Sequence, residues 1–154
     1  MNSQQLWKQF CDASGIDVRT DHEAWAFGGN PAYLADLVLK GIKTATASGY
    51  DMYFLDEAPE PLPKAGDYSV ILNEKDEAVC VIRTVKTSVV PFDEVTEDHA
   101  FKEGEGDRTL AYWRKVHEEF FTEDFASYGL KFHPKSRILC EEFVVCCKTS
   151  EEHA

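Results

Sequence analysis

The stretch that decides the fold is AVCVIRTVKTSVV, residues 78–90. It is rich in β-branched residues, and part of it alternates apolar with polar side chains, which is the pattern of a strand with one covered face. Working outward, YSVIL (68–72) reads as a second strand, and the polar NEKDE (73–77) between them reads as a turn, so the two are expected to form a hairpin. RILCEEFVVCC (137–147) is another long strand, and KTATAS (43–48) a shorter one. An α/β chain of alternating units would place a helix between most strands; here the helices are few, which points to α+β with a curved sheet or small barrel.

The helices announce themselves by their ends. Residues 3–14 carry Leu6, Trp7 and Phe10 on one side and stop at Gly15. Asn30-Pro31 is a strong start, asparagine capping and proline at the first helical position, for a helix through Leu34, Leu37 and Val38 that ends at Gly41. Thr96 can cap a short helix ending near Glu103 and Gly104. Asp107 or Thr109 can cap another, with Leu110, Trp113, Val116 or His117, and Phe120 on one face. TDHEAWAFGGNP (20–31) reads as a loop with a short apolar centre. GYDMYFLDEA (49–58) is ambiguous, although Tyr50, Tyr53 and Phe54 would share a helix face; the proline-rich PEPLPKAGD (59–67) is a surface connection. There are no internal repeats.

A chain of 154 residues fits one domain with a real core, and 44% hydrophobic content is that of a soluble globular protein. The domain is read as residues 1–154, with the core at about 25–147, the first helix packed on it, and the tail 148–154 frayed. The start MNSQQLWKQFCDAS lacks a basic segment followed by an apolar run, and no apolar stretch approaches bilayer length, so no signal peptide and no membrane partner are expected. Five cysteines without a C-x-x-C pair argue for reduced thiols and a cytoplasmic location. The five histidines are scattered, and neither zinc nor any other metal or cofactor is expected.

Charge bounds the partners. There are 28 acidic and 16 basic residues, for a net charge of -12, and no cluster of four or more lysines and arginines. Tight binding of long nucleic acid draws most of its affinity from phosphate neutralisation, so it is disfavoured, whereas a neutral small molecule is not.

Three features could carry chemistry: GIKTATAS (41–48), the acidic turn EGEGD (103–107), and Trp25 with Phe27 beside Gly28 and Gly29. Each has an ordinary reading as well. Lys43 follows a helix C-terminus, where a cation is favourable. The acidic turn is a helix stop followed by a cap, too short for a calcium loop of the EF-hand kind. Trp25 and Phe27 can be core or pocket wall. In a regular strand Lys43 and Thr46 point to opposite faces; they can share one only if the strand starts after Lys43 or bends there.

The ordered set WAFG, NP, GIKTATAS, PLPKAGDYSVIL, PFDEVTEDHAFKEGEGD, YWRKVHEEFF and CEEFVV resembles the ASCH domain family from about Trp25 to Val145. The resemblance implies a PUA-like fold, a small mixed β-barrel with flanking helices and a cleft whose wall is the G-x-K-T strand. It is similar in particular to small bacterial amidohydrolases of acetylated cytidine. Their lysine and threonine in G-x-K-T-x-T, and their glutamate in T-E-x-H-A-x-x-E, fall on Lys43, Thr46 and Glu103 of GIKTAT and TEDHAFKE. Those relatives carry arginine where this chain has Ser48, which bears on substrate identity. Candidate substrate contacts are Trp25, Phe27, Gly28, Thr44, Ser48 and Glu105.

The reading implied is a metal-free hydrolase of an N-acylated nucleoside, with a small nucleoside or nucleotide as ligand. Thr46 or a water would be the nucleophile; Lys43 would be either base or oxyanion stabiliser, and Glu103 a proton donor or the partner of Lys43. The alternative is an RNA- or nucleotide-binding module without chemistry, or a ribonuclease; the net charge of -12 implies weak RNA binding, and tight binding would need a concentrated basic patch in the cleft, such as Lys43, Arg83 and Lys86.

Overall fold

The computed structural model describes residues 1–55 and 61–149. In chain order the elements are α1 (Ser3–Ser14), β1 (His22–Ala26), α2 (Pro31–Leu39), β2 (Ala45–Gly49), a 3-10 turn (Tyr50–Phe54), β3 (Tyr68–Leu72), β4 (Ala78–Pro91), a second 3-10 turn (Phe92–Glu94), α3 (Glu97–Glu103), α4 (Leu110–Ser127) and β5 (Arg137–Lys148). The helix starts follow from cap chemistry. The side chains of Asn2, Asn30, Thr96 and Thr109 each accept a backbone N–H of the first helical turn, and Pro31 stands at the start of α2.

The five strands form one mixed sheet in the order β1-β3-β4-β5-β2. Strand β1 runs parallel to β3; the other pairs, including the β3–β4 hairpin, are antiparallel. The β4–β5 ladder shifts register between Val81 and Ile82 and again between Thr84 and Lys86. Such irregularities bend a strand and increase its twist, and the sheet curls into a half-barrel. The fold is therefore α+β with a barrel-like sheet.

Alternation along the strands divides the apolar residues between three clusters. Leu6, Trp7 and Phe10 of α1 cover Val70 and Val81 on the outer face of β3 and β4. Leu34, Leu37 and Val38 of α2 pack with Ile71, Cys80, Ile82 and Phe143. Trp113, Phe121 and Phe125 of α4 pack with Phe92, Ile138 and Cys140. Helices α2 and α4 thus flank the residues between them, where the candidate site lies.

Several expectations are corrected. Residues 22–26 form a strand, not a loop; they are too short and too exposed to alternate visibly, and pairing with β3 makes them a strand. Strand β2 starts at Ala45 rather than Lys43. The ambiguous segment after it is a single 3-10 turn, Tyr50–Phe54, and the part of the expected insertion at residues 56–60 lies outside the described residues. Strand β5 extends to Lys148, and Thr149 donates from its backbone N–H to Val79 O (2.9 Å) and from its hydroxyl to Ala78 O (2.6 Å). Residues 148–149 are therefore tied to the sheet instead of frayed, and 150–154 lie outside the described residues.

Candidate functional site

Lys43 belongs to the irregular connection between α2 and β2. The backbone N–H groups of Ile42 and Lys43 both donate to Leu37 O, at 3.0 and 3.1 Å. The next residue splices three elements together: Thr44 N–H donates to Lys102 O at the end of α3 (2.7 Å), and Thr44 O accepts from Phe143 N–H of β5 (3.0 Å). Because regular strand geometry begins only at Ala45, the parity that separates positions three apart does not apply to Lys43 and Thr46.

The Lys43 side chain is 1% exposed. Its Nζ donates to Ala45 O (2.9 Å) and Glu103 Oε1 (3.1 Å), faces Glu105 Oε2 at 3.5 Å, and lies 5.2 Å from the centre of the Phe27 ring. A buried ammonium needs such compensation, because desolvation alone would cost several kcal/mol, ~5 or more.

Glu103, the last residue of α3, is as deeply buried. Its Oε2 accepts from His99 Nε2 one helical turn earlier and from Trp113 Nε1 of α4, both at 2.7 Å. Its Oε1 accepts from Lys43, with His117 Nε2 at 3.5 Å. Burial works against the charge of this carboxylate, but Lys43, His117 and His99 outweigh it and hold Glu103 well below its ordinary range. Burial likewise pushes His99 down, and its bonds to Cys140 and Glu103 overcome that, raising it to about 9. His117 stacks on Trp113 at 4.2 Å and donates Nδ1–H to Trp113 O (2.9 Å), which leaves Nε2 turned to the carboxylates; burial pushes it down, but its hydrogen bond to Glu103 and the charges of Glu103 and Glu105 outweigh that and raise it.

Glu105 differs from Glu103 in kind. Burial pushes it up, and although Lys43 pulls it down, the neighbouring charge of Glu103 adds to the rise. One carboxyl of the pair is thus fixed as an anion by surrounding donors, and the other is suited to carry a proton. The EGEGD turn that sets their spacing is itself pinned: Gly106 N–H donates to Tyr33 OH (3.0 Å), and Arg108 Nε donates to Phe101 O (3.1 Å).

Lys43, Glu103, Glu105 and His117 line a cavity of about 540 Å³ between α2, α4 and β2. A second cavity, about 900 Å³, adjoins it between β1, β2 and α4. Phe27, Gly28, Thr46, Ala47 and Phe120 line both. Of the residues expected from sequence, Lys43, Thr46, Glu103, Glu105, Phe27 and Gly28 line the Lys43 cavity, whereas Trp25 and Ser48 line only the larger one. The Ser48 hydroxyl is hydrogen-bonded to Tyr53 OH at 2.8 Å. Thr44 lines neither cavity, and its side chain is exposed. His99, Trp113 and His117 are not among the site residues expected from sequence, where Trp113 and His117 figure only on one face of a helix; the clue available is i, i+4 spacing, His99 to Glu103 and Trp113 to His117.

Ligand atoms of Glu103, Glu105 and His117 lie within 4.8 Å of one another, a donor set of the type that holds a divalent cation. The Lys43 ammonium already bridges the two carboxylates and supplies the positive charge there. Lys43, Arg83 and Lys86 do not form a basic patch in the cleft, since Lys43 is buried while Arg83 and Lys86 are exposed on β4 and line neither cavity.

The ASCH domain family profile matches residues 23–146. The chain belongs to the ASCH domain family. Among solved ASCH structures, the domain from Lactobacillus crispatus JV V101 is 27% identical, covers 94% of each chain and superposes with a TM-score of 0.84. Protein EF3133 from Enterococcus faecalis V583 is 36% identical over 98% of this chain and 92% of its own, with a TM-score of 0.87. The hypothetical protein PH0355, 16% identical with a TM-score of 0.55, shares the fold alone. No curated protein matches the sequence. No described helix of this ASCH domain is long and apolar enough to cross a membrane.

Proposed function

We propose that this ASCH domain is a metal-free amidohydrolase of an N-acylated nucleoside, acetylated cytidine or a close analogue. The observation that carries the reading is the buried Lys43–Glu103 pair at a cavity that Thr46 also lines. Lys43 is the electrophile. Its hydrogen toward Glu105, at 3.5 Å, is the one free to turn to an acyl oxygen and stabilise the oxyanion. Glu103 orients Lys43; with donors on both oxygens, it does not move protons.

Thr46 is the nucleophile. Its hydroxyl adds to the acyl carbon while Glu105, as carboxylate, takes the proton and then passes it to the departing amine as the C–N bond breaks. A water then attacks the acyl-threonine, giving one proton to Glu105, which returns it to Thr46 Oγ1 as the carboxylic acid leaves. The acidic balance of the chain, net charge -12, suits a neutral nucleoside better than a polyanion. The test is to incubate the purified protein with acetylated cytidine and follow cytidine release by chromatography. Turnover well above that of Lys43→Ala is expected; equal rates for the two proteins would overturn this reading.

A further inference from the structure

The chemistry above leaves unused one buried carboxyl of the larger cavity. Glu141 stands on β5 directly opposite Thr46 on β2. Residues paired across antiparallel strands project to the same face, with Cβ atoms about 4.5–5.5 Å apart. Glu141 is only 9% exposed, and it lines the larger cavity beside Thr46. Among the described residues no cation pairs with it: Thr84 hydrogen-bonds it, and the charges that act on it are those of Asp67 and Glu23, both acidic.

A carboxyl buried beside other acids is costly as an anion. Burial, reinforced by Asp67 and Glu23, raises Glu141 to about 7. A neutral carboxyl offers one O–H donor and one carbonyl acceptor side by side. That pair complements an amidine edge, in which a ring nitrogen accepts next to an amino N–H that donates. The walls fit a flat heterocycle, since Trp25, Phe27, Tyr53, Phe120 and Tyr128 line the same cavity. Thr46 joins this cavity to the Lys43 cavity.

We propose that Glu141 is the specificity-determining residue for the leaving group, binding the ring nitrogen and amino group of an aminopyrimidine base. Held there, the base places its acylated amine at Thr46, with the acyl group toward Lys43. This placement rests on the hydrolase reading; the recognition of the base does not require turnover.

The experiment is calorimetric titration of the protein with cytidine and with 3-deazacytidine, in which C–H replaces the ring nitrogen. Native protein, Glu141→Ala and Glu141→Gln are compared, each checked by thermal melting. The native protein is expected to bind cytidine at least tenfold tighter than the deaza analogue. Glu141→Ala loses that preference and binds cytidine at least tenfold more weakly. Glu141→Gln, which keeps one donor and one acceptor, stays within a few-fold of native. Equal native affinities, no native binding of cytidine, or a Glu141→Ala affinity within twofold of native would each overturn the proposal. Should Glu141→Ala not fold, the native preference and the glutamine variant decide. If acetylated cytidine is not turned over but this binding pattern holds, the hydrolase reading fails and the role of Glu141 stands. If turnover occurs with kcat/KM unchanged in Glu141→Gln and Glu141→Ala, the reverse is true.

Discussion

Lys43 Nζ and Glu103 Oε1 lie 3.1 Å apart, and each side chain is 1% exposed. Sixty residues separate them in the chain, so the pair ties the α2–β2 connection to the end of α3. Breaking a buried pair leaves an uncompensated charge, which costs about 3–5 kcal/mol. Glu103→Gln should be the gentler change, since the amide still accepts from Trp113 and Lys43 retains Glu105. Lys43→Met leaves two neighbouring acids without their cation and should cost the larger amount. Urea denaturation of both variants and the double variant measures the coupling. Single-variant losses below about 1 kcal/mol that add in the double variant would mean the pair is not coupled in this way.

His99 predicts an alkaline loss of stability. It is raised from 6.5 to about 9, so its protonated form favours the folded state. That contribution is complete below about 6.5 and disappears as pH rises through about 9. Glu103 has the opposite sign: it is lowered, so its contribution is present above about 4.5 and lost only as pH falls well below that. The melting temperature of the native protein should fall by several degrees between pH 7 and 9.5, and His99→Gln should show a shallower fall from a lower start. A native curve that stays flat across this range would contradict the assignment.

Glu105 and Glu103 should separate kinetically. If Glu105 is the proton carrier, Glu105→Gln removes general acid–base catalysis and lowers kcat by about 10²–10⁴-fold with little change in KM. Its remaining activity should also lose the limb of the pH–rate profile that belongs to this carboxyl. Equal kcat in Glu105→Gln and native protein would return the proton transfer to another group, with His117 Nε2, 4.0 Å from Glu105 Oε2, next in line.

What the sequence made legible is what is local. Helix starts at Asn30-Pro31, Thr96 and Thr109 could be read because a cap needs only its own first turn. Strand β1 was hidden because its partner is β3, His22 pairing with Tyr68, and five half-exposed edge residues alternate too weakly to announce it. The two motifs that resemblance singled out, GIKTAT and TEDHAFKE, contain the buried pair, yet neither motif alone explains it. The carboxylate is completed by Trp113 from a third segment. From sequence His117 reads as an ordinary helix residue, because the facing of α4 toward α3 is not written in either helix. Glu141 carried a visible signal: in RILCEEFVVCC it shares strand parity with Phe143, a core residue, so an acid was aimed inward. Its position opposite Thr46 needed the β2–β5 register.

Gly104 offers a test of how firmly Lys43 must be placed. Its φ is +77°, and a Cβ there would sit 2.7 Å from Ile42 O, the carbonyl immediately before Lys43. Gly129 makes a matched control: its φ is +75°, and a Cβ would meet nothing within 4 Å. Both alanine variants pay the left-handed backbone cost, about 1–3 kcal/mol. Only Gly104→Ala also pushes on the connection that holds Lys43 against Glu103. Turnover at a temperature where both variants are folded should therefore fall at least tenfold in Gly104→Ala and stay near native in Gly129→Ala. Comparable turnover in the two would show that the contact between Gly104 and Ile42 does not set the position of the lysine.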